Sequence, residues 1–240
     1  MTACAIMQPT YLPWAGYFNL IASADVFVVL DDAQFQRSSW HCRNQIVLQG
    51  AASLLTVPII RNGLTTKLSD AKIDYIRDWR KSHEGRVRQA YARTLGGNIV
   101  LAALIKAWRA DHERLIDLNL SVIKALGEVL GIRTPFVMAS KLGVTGVRTQ
   151  RLLAICAKLG VTHYLSPGGS AEYLSNDGFE RQNRVSLHLQ QFLPHPYQQH
   201  GTSAFLPFMS VIDVIANLGV TEAAAYVRRP AFANYVKKAQ

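Results

Sequence analysis

Two adjacent carboxylates, Asp31 and Asp32, close an apolar run, and a loop of mixed chemistry follows them. That loop reads Gln36-Arg37-Ser38-Ser39-Trp40-His41-Cys42-Arg43-Asn44. These residue types suit group transfer on an anionic small molecule. Arg37 and Arg43 offer planar forks that match phosphate or carboxylate oxygens. Trp40 offers a ring face for stacking, and Asn44 an amide. His41 is a candidate general base, since imidazole titrates near neutrality. Asp31 or Asp32 is a candidate to orient or deprotonate an acceptor. Successive side chains of an extended chain point opposite ways, so one of the two is expected to be structural. A magnesium site would need further oxygen ligands, and no metal is assigned.

A second set lies upstream, in Gln8-Pro9-Thr10-Tyr11-Leu12-Pro13-Trp14-Ala15-Gly16-Tyr17. Gln8 supplies an amide, Tyr11 and Trp14 supply ring faces, and the prolines stiffen the loop. Gly16 stands where a helix should begin, so a ligand could approach bare backbone N–H groups there. The same residues would also serve a tight, well-packed turn. A third set lies late in the chain. Ser166-Pro167-Gly168-Gly169 could expose amides to an anion, and Glu172 follows. Arg148 and Arg151 flank a helix start and could hold phosphate.

These residues need elements to position them. "ACAIM" and "VFVVL" are short apolar runs of strand length, with a helix expected over Gly16–Ala24 between them. That is a β-loop-α-β unit, a parallel pair with a right-handed crossover. In such sheets ligands bind outside the carboxyl ends of the strands. The loops at 8–16 and 31–44 therefore belong to one crevice. "QIVLQG" and "SLLTVPII" read as a hairpin turned at Gly50-Ala51-Ala52. A helix is expected over 72–93, with Arg77, Lys81 and Arg88 on one stripe and Ile76, Trp79, Val87 and Ala90 on the apolar face. Two more helices are expected over 99–130, closed by Gly131. "TPFVMAS" and "THYLS" are strand candidates, and Thr149 is a possible cap for a helix ending at Leu159. "VSLHLQQF" alternates as a half-buried strand, and the last forty residues read as mostly helical. The expected fold is an open parallel α/β sheet of Rossmann-like kind. The chain, 1–240, is read as one α/β domain with a mainly helical insertion at about 72–130.

Composition narrows the partners. Hydrophobic residues make up 49% of the 240, enough for a sizeable core. The net charge is +10 and is unevenly spread. Residues 37–93 hold eleven Lys or Arg against four acidic residues, whereas no Lys or Arg precedes Arg37. An anionic partner is expected: a nucleotide, a phosphosugar or RNA. The three cysteines, Cys4, Cys42 and Cys156, are scattered, with no metal spacing. No apolar stretch reaches the roughly 20 residues of a membrane span, and the chain opens without the order of a secretory signal. A cytoplasmic location is expected. Walker, G-x-S-x-G, H-E-x-x-H and G-x-G-x-x-G patterns are absent. No cofactor is specified by these residues, nor is an oligomeric state.

The first strand–helix junction resembles that of nucleotidyltransferases and class I synthetases. They carry a His-x-Gly-His tetrapeptide at this point; here it reads Trp14-Ala15-Gly16-Tyr17, with the glycine kept and both histidines absent. The resemblance implies their fold and not their adenylyl-transfer chemistry. Several stretches taken together, "AIMQPTYLPWAGYFNLI", "DVFVVLDDAQFQRSSWHCRNQI", "LLTVPI", "YLSPGG" and "FMSVIDVIANLG", resemble the WbqC-like family of bacterial proteins, found among genes for surface polysaccharides such as O-antigen. That resemblance implies a role near nucleotide-sugar or glycan modification. Its expected activity is a transferase, acting by acyl or aminoacyl transfer to an amino sugar. Alternatives are an aminoacyl-tRNA-using transferase that binds RNA, and a non-catalytic scaffold of a polysaccharide assembly complex.

Overall fold

A computed structural model describes residues 2–60, 66–179 and 185–233. The end of the expected C-terminal helical region, 234–240, lies outside the described residues. Five strands form a parallel sheet: β1 (Ala3–Met7), β2 (Val26–Val29), β5 (Phe136–Met138), β6 (His163–Ser166) and β7 (Ser186–Leu189). Their spatial order is β5-β2-β1-β6-β7. The chain thus winds outward from β1 in one direction, then returns and winds outward in the other. That reversal, between β1 and β6, is the switch point at which open α/β sheets bind ligands.

Burial on both faces explains why β1 and β2 read as apolar runs. Along β1, Ala3 and Ala5 enter one core and Cys4 and Ile6 the other. The register places Met7 beside Val29, and Val29 beside Met138. The carboxyl ends therefore sit side by side along one edge. α1 (Ala15–Ser23) is buried against the first face, and α5 (Arg148–Leu159) contributes Leu152, Ile155 and Cys156 to the second. The short helix α6 (Ala171–Asn176) joins that second layer through Leu174.

Between β2 and β5 the chain makes a hairpin, β3 (Arg43–Leu48) and β4 (Ala51–Thr56), and then three helices: α2 (Trp79–Tyr91), α3 (Gly97–Arg109) and α4 (Leu115–Val129). The hairpin turns at Gln49-Gly50 rather than at 50–52. Leu48 pairs with Ala51, and both turn residues have positive φ, at 53° and 78°. Such a two-residue turn matches the strand twist. Residues 72–78 are not helical. Lys72 and Ile73 form extended bridges to Arg114 and Ile59. α2 begins where the Asp78 carboxylate accepts the Lys81 N–H at 3.2 Å, and Gly85 does not break it. Arg77 therefore leaves the expected stripe, and Ile76 is 91% exposed instead of packed. α5 begins after Val147, so Thr149 is not its cap; its hydroxyl donates to Asp177 at 2.9 Å. α7 (Val211–Val227) bends at Gly219, where a side-chain carbon would meet Leu95. Among the described residues no helix is long and apolar enough to cross a membrane.

Candidate functional site

Three segments meet outside the carboxyl end of β1. The first, 8–14, leaves β1 and enters α1. The second, 35–44, leads into β3, and the third, 205–210, enters α7. Their backbones and amides are knit together. Tyr11 N–H donates to Trp40 O at 2.9 Å, and the Asn44 amide donates to Tyr11 O at 3.2 Å. Val211 N–H reaches Pro13 O, and Ser210 N–H reaches Gln45 O. From α4, the buried Asn119 amide donates to Pro9 O and His41 O, at 3.3 and 2.8 Å. The third segment hangs on Asp213 of α7, whose buried carboxylate accepts from Tyr91, Tyr197 and Gln199. Gln199 in turn exchanges hydrogen bonds with both backbone groups of Leu206.

These segments enclose a cavity of about 360 Å³. Met7 and Thr10 line one side, Trp14 and Tyr17 the helix side, Trp40 and Asn44 the hairpin side, and Phe208 the remaining rim. Trp14 is seated edge-on against Phe192 and tilted against Phe208, with ring centres 5.6 and 5.3 Å apart. Among the described residues no carboxylate, guanidinium or ammonium group lines the space. Each of the three segments also holds a non-glycine residue in the left-handed region: Leu12 at φ 46°, Ser38 at 55° and Phe208 at 60°. Such a conformation costs about 1–2 kcal/mol per residue. Backbone strain of this kind collects at functional sites, where surrounding bonds hold it in place.

Of the residues singled out from the sequence, Trp14, Trp40 and Asn44 line this cavity. Gln8 lies behind it, its Oε1 accepting from His41 Nε2 at 2.8 Å. The other ring nitrogen, Nδ1, accepts the Gln36 N–H at 3.2 Å, so Nε2 carries the proton. His41 is buried, which lowers its pKa, and both its nitrogens are spent on holding the two loops. Tyr11 is fully buried, with its hydroxyl 2.9 Å from His83 Nδ1, and has no face free for stacking. At Gly16 a side-chain carbon would fall 2.2 Å from the Trp14 ring. The glycine makes room for the indole, which covers the face that was expected to receive a ligand. Arg43 and Asn44 point to opposite sides of β3, so Arg43 faces away from the cavity. Arg37 is exposed.

The carboxylates sit farther along the same edge and are already partnered. Asp31 is buried and accepts from the Ser140 N–H and hydroxyl, tying β2 to the turn after β5. Asp32 forms an ion pair with Arg151 of α5. Asp32 Oδ1 and Arg151 Nε are buried without partners of their own. Ser166 is buried among Tyr164 and Ser170. Gly168 is close to the backbone of Gln190, whose oxygen a side-chain carbon would meet at 2.6 Å, while Gly169 faces open space. Glu172 is exposed. Among the described residues no cluster of His, Cys, Asp or Glu is placed to hold a metal ion.

Sequence reasoning missed Asn119, Met7, Thr10, Tyr17 and Phe208. Three of these lie inside the first seventeen residues and Phe208 opens "FMSVIDVIANLG", so their neighbourhoods were visible. Asn119 gave no signal, being one polar residue within a helical pattern.

A sequence model of the WbqC-like protein family matches residues 8–225. The chain is 29% identical over 237 residues to a protein of Mycobacterium tuberculosis (strain ATCC 25618 / H37Rv), the uncharacterized protein Rv1507c; the match covers 95% of this chain and 98% of the other. No solved structure is significantly similar.

Proposed function

The chain belongs to the WbqC-like protein family, and on that premise we propose that it is a transferase acting on a nucleotide-linked sugar in surface-glycan assembly, with acyl or aminoacyl transfer to an amino sugar as the reaction. One observation carries this reading: an aromatic cavity of about 360 Å³ stands at the carboxyl end of the central strand, beside the switch point. Its volume falls in the range of small-molecule sites. Trp14 and Trp40 supply ring faces, and Thr10 and Asn44 supply hydrogen-bonding groups. Among the described residues no activated nucleophile lines the cavity, so the contribution of this lining is holding donor and acceptor in reacting geometry.

The distribution of cations supports a small ligand over RNA. Lys72 is paired with Glu113, Arg88 with Glu84, and Arg86 bonds Leu54 O and Ser53. Of the expected stripe, Arg88 is thereby engaged, which takes one cation from the surface that a polyanion would track. The test is calorimetric titration of the protein with UDP-sugars and with tRNA, across salt concentrations. Saturable nucleotide-sugar binding with a shallow salt dependence is expected, weakened at least tenfold in Trp40→Ala. Steeply salt-dependent tRNA binding, with no nucleotide-sugar binding, would overturn the reading.

A further inference from the structure

Resting on that reading, we infer that the cavity receives the pyranose ring of the nucleotide-linked sugar, and that this ring is held there uncharged with an apolar substituent, either a deoxy position or the N-acyl group that the transfer forms. Among the described residues every group that lines the cavity is uncharged, which is the first reason. An anion moved from water into this space would lose hydration without gaining a counter-charge, and burial of an unpaired charge is expensive. The aromatic faces add to this. Their quadrupoles present negative density to whatever stacks on them, which repels a carboxylate or phosphate. The phosphates of the nucleotide sugar therefore lie outside the cavity.

The polar groups that remain suit hydroxyls and an amide. Asn44 Oδ1 is occupied by the Gln45 N–H at 2.8 Å, leaving one amide hydrogen beyond its bond to Tyr11 O. The Tyr17 hydroxyl donates to Gln8 O at 3.2 Å and can still accept. Thr10 can donate and accept. A nucleobase demands a fixed pattern of donors and acceptors on one edge, which these few groups do not form. Sugar hydroxyls serve as either partner, and the C–H face of a pyranose lies flat on an indole. Met7 offers a polarisable apolar surface for a methyl group.

UDP-N-acetylglucosamine and UDP-glucuronic acid test this, since they share base and phosphates and differ in charge and apolar substituent. Calorimetry should give at least tenfold tighter binding of the N-acetyl nucleotide sugar. Trp40→Ala should erase most of that difference; Trp40 is 52% exposed, so its loss leaves the core intact. Equal affinities, or a difference that survives in Trp40→Ala, would overturn the inference while leaving the nucleotide-sugar reading standing. If neither nucleotide sugar binds, that reading fails. Methyl glycosides of the same two sugars, followed by ligand-observed NMR, then decide the inference alone. Preferential, Trp40-dependent binding of the N-acetyl glycoside upholds it, and no preference sinks it.

Discussion

The carboxyl edge of the sheet has two halves built on opposite terms. Around β1 the walls that the described residues form are aromatic and neutral, and they leave a cavity. Around the end of β2 the side chains are charged, and they close on one another: Asp31 on Ser140, Asp32 on Arg151. From residue types alone the charged half looks the more functional. The structure shows those charges spent on joining β2 to the 139–142 turn and to α5. Polar residues at a strand end are thus a weak guide to a site until their own partners are known. Rings that leave space between them are the better sign here, because packing normally fills such space.

The largest effect should come from loosening the cavity half at its root. Asn119→Ala leaves the Pro9 and His41 carbonyls buried without their donor. A loss of about 2–4 kcal/mol is expected in urea denaturation, with weakened ligand binding. An unchanged midpoint would show that the loops hold together without α4. Next is Gly16→Ala, which drives a methyl group into the Trp14 ring. Overpacking of this kind costs about 1–3 kcal/mol, and the tryptophan emission should shift as the indole moves. Emission and stability both at the wild-type level would mean that the indole does not rest on Gly16.

Acid should also act on this half. Burial holds His41 below its ordinary value, and holds His83 down at about 4. The unfolded histidines take up protons first as pH falls. Their contribution to stability is complete above about pH 6.5 and is lost as pH falls through the lower folded values. The urea midpoint should therefore decline from about pH 7 to pH 5, less steeply in His41→Gln. A parallel decline in both proteins would remove His41 from the account.

The smallest effect belongs to the charged half. A double-mutant cycle on Asp32→Asn and Arg151→Met should give a coupling of about 1 kcal/mol or less, since both side chains are over a fifth exposed and solvent screens the pair. Ligand affinity should not move. A large affinity loss in either variant would reverse the comparison and make the ion pair part of the site.

Much of the site's location was legible without coordinates. Strand-length apolar runs on either side of a short helix imply a parallel pair, and that pair alone puts the loops at 8–16 and 31–44 on one edge. The roles within the loops were less legible. Tyr11 and Trp14 lie three residues apart and read alike as ring platforms, yet Tyr11 is sealed against His83 and Trp14 lines the cavity. Gly16 read as an opening for a ligand and proves to be clearance for an indole. Residues 72–78 carried a helical pattern, but Lys72 and Ile73 were drawn into bridges with Arg114 and Ile59, where tertiary pairing outweighed local preference.

Local periodicity and turn chemistry act between neighbours in the chain. By themselves they determined the parallel α/β class, the identity of the strands around the site, and the Gly131 and Gly160 helix ends. Which polar groups stay available to a ligand depends on partners far away in sequence. Arg151 reaches back to Asp32, Asn119 to Pro9 and His41, and Phe208 to Trp14. Only the folded chain could decide these pairings, because a side chain's role is settled by whichever group neutralises or covers it first, and sequence spacing does not record that contact.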